Sequence, residues 1–185
     1  MDRISRSVML MRMAQVVALR GTCSRAKVGA VISKDGRILT LGYNGAPKGL
    51  PHCTHESWKM NAVNESEAPT WLLPLLHNRD MPFNGYETFY WDGVSVTIIA
   101  GTGQAPGCQV SEHAERNAIA WSARTGVALE GAQIHCTHAP CLDCARAIIN
   151  AGIECVSYVI PYRLTAGVEL LEQAGIQVIA MADPS

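Results

Sequence analysis

The stretch from Gln133 to Ile160, QIHCTHAPCLDCARAIINAGIECVSYVI, decides how this chain folds. Gln133–Thr137 reads as a strand, Cys141–Asn150 as a helix ended by Ala151-Gly152, and Cys155–Ile160 as a second strand. Strand, short helix, strand is a βαβ unit, and strands joined that way run parallel. The pattern continues downstream. Leu164–Ala174 reads as a helix stopped by Gly175, and Ile176–Ala180 as the last strand. Upstream, Ser111 or Glu112 caps a helix that runs to about Thr125 and stops at Gly126.

Further toward the N-terminus the pattern changes. Residues 2–20 read as an opening helix, with Ile4, Val8, Met9, Met11, Met13, Val16 and Val17 on a broad apolar face and Gly21 as its stop. The methionines are read as core residues. Val28–Ile32 and Ile38–Tyr43 read as strands joined at Lys34-Asp35-Gly36-Arg37, where the Asp-Gly pair signals a hairpin. The expected class is α/β: three layers, α/β/α, around a mixed sheet of about five strands, antiparallel at its start and parallel in its second half.

Residues 54–112 are the least regular part. They hold Pro69, Pro74, Pro82 and Pro106 and a glycine cluster from Gly101 to Gly107. Residues 70–78 read as a short helix and residues 94–100 as an extra strand or hairpin. A structureless loop of this length is unusual, so the expectation is one domain over residues 1–185 with an irregular insertion at about 54–112.

Composition narrows the function. Of 185 residues, 48% are apolar and 17% charged, and the net charge is −1, which is globular and near neutral. No basic stripe of the kind nucleic-acid binders carry is visible, which favours an enzyme acting on small molecules. The apolar run from Val8 to Leu19 is interrupted by Arg12 and is too short to span a bilayer, so no membrane association is expected. Seven cysteines, an odd number, and no secretory signal point to a reducing, cytoplasmic compartment, or the host cytoplasm for a viral protein.

Two short segments carry the chemistry. His113-Ala114-Glu115 offers an imidazole and a carboxylate, and Pro140-Cys141-Leu142-Asp143-Cys144 offers two thiols. Alone, a CxxC reads as a redox pair, a structural zinc half-site or a chance pairing, and HAE as a polar helix face. Together they give three protein ligands and one carboxylate left over. Structural zinc sites close with four protein ligands, whereas catalytic ones leave a position open. On a helix, His113 and Glu115 lie about 200° apart, so both cannot be ligands on one face. Cys141 and Cys144, at i and i+3, share a face, and a helix N-terminus favours their thiolates. Asp143 reads as a solvent-facing charge. His135 and His138, which flank Cys136, read mainly as packing residues, with His138 the better placed of the two to reach the pocket.

The joint order H-x-E…P-C-x-x-C is the signature of zinc-dependent base deaminases. The chain resembles the deoxycytidylate (dCMP) deaminases of the cytidine deaminase superfamily over about residues 5–53 and 111–181. The likeness rests on residues 22–32 (TCSRAKVGAVI), on Gly42-Tyr43-Asn44-Gly45, on residues 113–119 (HAERNAI), and on Pro140-Cys141-Leu142-Asp143-Cys144-Ala145. The resemblance implies a cytidine deaminase-like fold and hydrolysis of dCMP to dUMP and ammonia. It implies zinc on His113, Cys141 and Cys144, with Glu115 as proton shuttle. Asn44 would hold the deoxyribose and the Ala114 backbone the pyrimidine carbonyl. Arg25 and Lys27 would meet the 5′-phosphate, with Tyr162 and Arg163 closing over it.

It further implies a homo-oligomer, hexamer or dimer. It implies activation by dCTP and inhibition by dTTP near Gly42, Tyr43, Asn44 and Gly45, with Mg2+ entering only alongside such a triphosphate. Some relatives hold a second, structural zinc. Cys23 and Cys53 stand where its thiols would be, Ser111 occupies an expected histidine position, and His52, His55 or Cys108 are the substitutes. Two alternatives stand beside the dCMP reading. One is a deaminase of a 5-substituted dCMP or another free cytosine nucleotide. The other is a tRNA or single-stranded nucleic-acid deaminase, which needs a basic, aromatic channel.

Overall fold

Ser5 opens the first helix: its hydroxyl accepts the Val8 N–H at 3.2 Å, and α1 runs Arg6–Ala18. The computed structural model describes residues 3–23, 26–50, 52, 87–91, 96–100 and 111–184. The helix is shorter than the apolar pattern suggests because Ser5 caps it. Gly21 marks its end through space rather than through a left-handed turn. A Cβ there would stand 2.5 Å from Asn44 Oδ1 and 2.9 Å from Ala18 O. The methionines divide: Met11 is fully buried, while Met9 and Met13 are exposed, so only one fills the core as expected.

β1 (Gly29–Lys34) and β2 (Arg37–Tyr43) pair antiparallel around Asp35 and Gly36. Their φ values of 52° and 75° make this a type I′ turn, the geometry an Asp-Gly pair favours. The chain divides into two compact units, residues 1–54 with 110–185 and residues 55–109. In the second unit β3 (Glu87–Trp91) and β4 (Val96–Ala100) form an antiparallel hairpin. The hairpin expected around 94–100 is present, and its first strand, the β-favouring run Thr88-Phe89-Tyr90-Trp91, is not anticipated. The helix expected at 70–78 lies outside the described residues.

The first unit continues with α2 (Ala114–Thr125), β5 (Gln133–His138), α3 (Leu142–Asn150), β6 (Cys155–Ile160), α4 (Ala166–Gln173) and β7 (Gln177–Ala180). The sheet order is β2-β1-β5-β6-β7. β1 pairs antiparallel with β2 and β5, and β5, β6 and β7 run parallel. This is the expected mixed five-stranded sheet. Alternation along β1 separates its faces: Ala30 and Ile32 join Ala118, Ile134, Ile148 and Leu171 under α2, α3 and α4. Val31 packs on the other face with Leu10, Met11 and Ala14 of α1. Gly126 and Gly175 follow α2 and α4 with φ of 71° and 78°, the left-handed stops that glycine allows.

Among the described residues, no helix is long and apolar enough to cross a membrane. Residues Cys23, Cys136, Cys141, Cys144 and Cys155 are not in disulfides.

Candidate metal centre and adjoining cleft

Two helix starts meet at the end of the parallel strands. β5 leads through Ala139-Pro140 into Cys141, which is the N-cap of α3, and Cys144 lies in that helix's first turn, fully buried. His113 is the N-cap of α2, with extended backbone (φ −78°, ψ 150°). His113 Nδ1 lies 3.3 Å from Cys144 Sγ and 3.4 Å from Cys141 Sγ. Donor atoms of all three residues fall within 4.8 Å of one another, the only such group among the described residues. The structure brings together the three side chains read as ligands.

Two details differ from the sequence reading. Neither Ser111 nor Glu112 caps α2, and His113 precedes the helix rather than standing in its first turn. Cys141 likewise caps α3 rather than opening it. The cause at α2 is Glu112. Its backbone exchanges hydrogen bonds with Gly45 (Gly45 N–H to Glu112 O, 3.1 Å; Glu112 N–H to Gly45 O, 2.9 Å), which keeps the strand extended. Its carboxylate accepts the His113 N–H at 2.8 Å and Arg116 Nε at 2.7 Å. Glu112 is thus not the cap read from the sequence but a side chain that holds His113, and its i, i+4 spacing to Arg116 is the signal for that pairing.

Glu115 is 3% exposed, at the second position of α2. Burial raises its pKa above the ordinary carboxylate value, against the opposing pull of His113. The hydrogen bond from Cys144, followed by that from His113, lowers Cys141 to about 3. Cys144, hydrogen-bonded to the Cys141 sulfur and buried, is raised. The Cys141 hydrogen bond raises His113. Against the lowering effect of its partial burial, the Arg116 pKa is raised by Glu112 first and then by the two sulfurs. The cluster is thus built to hold a thiolate beside an imidazole. One nitrogen and two sulfur donors suit zinc, and a three-donor set with a carboxylate to spare suits a catalytic ion.

Asn44 is buried and engaged with the backbone. Its Oδ1 accepts the Val28 N–H at 2.8 Å, and its Nδ2 donates to Ala26 O at 2.8 Å, leaving one N–H. Asn117 Nδ2 donates to Tyr43 O at 2.8 Å, tying residues 42–45 to α2. Gly42 lets β2 approach that helix: a Cβ would meet Ala118 N at 2.6 Å. Ala114 is fully buried in the first turn of α2, where an N–H has no intrahelical acceptor. Lys27 is exposed on a cleft of about 230 Å³ that Thr137, His138 and Ile160 also line. Arg163 stacks over the Tyr162 ring at 5.7 Å in the segment after β6. Asp143 is exposed and pairs with Arg146 at 3.0 Å, as a surface charge would. Arg25, Cys53, His55 and Cys108 lie outside the described residues; Cys23 is buried and His52 exposed.

Fold and donor set together define a deaminase built on the cytidine deaminase fold. The chain belongs to the deoxycytidylate deaminase family, and the family model described as MafB19-like deaminase matches residues 4–172. It is 32% identical over 179 residues to the deoxycytidylate deaminase of Enterobacteria phage T2, covering 91% of this chain and 88% of that one. Identity to ComE operon protein 2 of Bacillus subtilis is also 32% over 179 residues, covering 96% and 72%. Among solved structures, the dCMP deaminase of cyanophage S-TIM5 in complex with dCMP and dUMP aligns with a TM-score of 0.65 at 26% identity. That alignment covers 98% of this chain and 100% of the other.

Proposed function

We propose that this chain hydrolyses dCMP to dUMP and ammonia at a zinc ion held by His113, Cys141 and Cys144. The observation that carries the proposal is the approach of His113 Nδ1 to both sulfurs beside the buried Glu115 carboxylate. Bound there, zinc would acidify a water molecule for attack on the base. Glu115 accepts that water's proton on its carboxylate and returns it to the ring nitrogen, and later delivers a proton to the departing amine. Its burial and raised pKa favour handing the proton back. The first-turn N–H of Ala114 holds the pyrimidine carbonyl. Asn44 offers its remaining N–H to the deoxyribose, while Lys27 and Arg25 meet the phosphate and Tyr162 and Arg163 close over it.

Support for dCMP comes from the T2 relative and from the cyanophage enzyme whose structure contains dCMP and dUMP. Ammonia release from dCMP, 5-methyl-dCMP, dCTP, deoxycytidine and AMP tests the reading, with dCMP expected to be the best substrate. Turnover of deoxycytidine alone would remove the phosphate from the proposal, and preference for 5-methyl-dCMP would replace the base. Elemental analysis should give one zinc per chain, with a second if Cys23 and Cys53 complete another site. A homo-oligomer, hexamer or dimer, is proposed from the family resemblance and is read by sedimentation. A flat response to dCTP and dTTP with Mg2+ would sink the proposed activation and inhibition. A reducing, cytoplasmic setting is proposed from the odd count of seven cysteines in the sequence.

A further inference from the structure

The C-terminal ends of parallel strands are where ligands bind in open α/β sheets, because the chain leaves there in loops. β5 and β6 both end on the cleft that Lys27 lines, and the same two strands lead on to Pro140-Cys141 and to Pro161-Tyr162. The end of α1, at Ala18 and Leu19, supplies an apolar wall. Asp183 also reaches the cleft, and Gln15 Nε2 donates to its carboxylate at 2.8 Å.

His138 enters this cleft from a fixed position. Thr137, buried next to it, accepts the Gly29 N–H on Oγ1 at 3.1 Å, and the same Oγ1 lies 3.0 Å from His138 Nδ1. A threonine hydroxyl has one hydrogen to give. Buried hydroxyl hydrogens find acceptors, and His138 Nδ1 is the acceptor placed against this one. The arrangement that satisfies both groups is Thr137 O–H donating to Nδ1, which puts the ring hydrogen of neutral His138 on Nε2. Burial lowers the pKa of the ring, so the neutral form is favoured. Among the described lining residues, Lys27 is the cation and His138 an oriented neutral donor, a pairing suited to a phosphomonoester oxygen, while the one anion, Asp183, is engaged by Gln15 Nε2.

We propose that His138 is a binding residue that donates its Nε2 hydrogen to the phosphomonoester of the nucleotide, beside Lys27, with Thr137 fixing its tautomer. This rests on the nucleotide reading above and adds to it a residue and a hydrogen-bond direction. The test is calorimetric titration of the zinc-loaded full chain with dUMP and with deoxyuridine. Wild type should bind dUMP more tightly. His138→Leu should lower the dUMP-to-deoxyuridine affinity ratio about tenfold, the loss of one hydrogen bond to a charged group, and His138→Gln, which keeps an N–H, should restore most of it. An unchanged ratio in His138→Leu, or equal loss in both variants, overturns the assignment. So does a 15N spectrum of wild type showing His138 protonated at Nδ1. Absence of dCMP turnover by wild type would defeat the proposed function separately, since the affinity ratio is measured without turnover.

Discussion

The Glu112 carboxylate accepts the His113 backbone N–H at 2.8 Å, so the residue just ahead of the expected ligand holds that ligand's backbone. The same oxygen takes Arg116 Nε at 2.7 Å. Both groups of this pair are partly exposed, so their charge attraction alone contributes little. The positional effect is larger, because His113 must leave the helix path to reach Cys141 and Cys144. Glu112→Ala should therefore weaken zinc retention by about tenfold to a hundredfold, the usual effect of removing a residue that orients a ligand. Competition against a chromogenic chelator reads this directly. Unchanged zinc affinity would show that the helix start is held without Glu112.

Under the proposed function, Glu115→Gln is the variant that should separate catalysis from metal binding. Glu115 stands one residue past Ala114 on α2 and outside the three-residue donor group. Glu115→Gln keeps its shape and removes its ability to take a proton. Zinc content should stay at the wild-type level while kcat for dCMP falls by about 10²–10⁴, the span general acid–base catalysis contributes. Loss of zinc in this variant would instead make Glu115 a ligand.

Asn44 has an observed structural role beside its proposed one at the deoxyribose. Its amide bridges Val28 and Ala26, and residues 26–28 carry Lys27. Asn44→Ala leaves the buried side of that loop without its partner, at a cost of about 1–3 kcal/mol in unfolding free energy. Urea denaturation measures this. The KM for dCMP should rise as well, because the loop presenting Lys27 loses its anchor. A KM change with no stability change would confine Asn44 to the sugar.

The parallel half of the sheet is legible in sequence because each element there is local. Cys155–Ile160 is a short apolar run that pairs parallel with β5 and β7, and glycines at 126, 152 and 175 punctuate the helices with positive φ. The candidate donor group is legible because CxxC and HxE spacings are short-range facts. What is not legible is long-range. That Gly21 is needed for room beside Asn44, and that Glu112 pairs with Gly45, depends on segments far apart in sequence. A helix pattern also cannot say that His113 stops one residue short of the helix, since the deciding hydrogen bond comes from Glu112, which reads as a cap of that helix.

His135 gives the fold a pH limit. It is fully buried on β5, between Val31 of β1 and Ser157 of β6 in register, and neither ring nitrogen has a hydrogen-bond partner among the described residues. Val31 shares its cluster with Leu10, Met11 and Ala14 of α1, which offer no charge to stabilise an imidazolium. Burial lowers the folded pKa below the ordinary 6.5. The unfolded chain thus takes up the proton first as pH falls. Stability from the neutral ring is fully present above about 6.5 and is lost as pH drops toward the lowered folded value, at up to about 1.4 kcal/mol per pH unit. Urea unfolding of wild type and His135→Leu between pH 7.5 and about pH 5 isolates this contribution, since every other titrating group is common to both. The wild-type curve should fall more steeply below about pH 6.5 and run parallel to the variant above it. Curves that stay parallel throughout would mean that His135 keeps its ordinary proton affinity under α1, and the acid sensitivity of the fold would have to originate elsewhere.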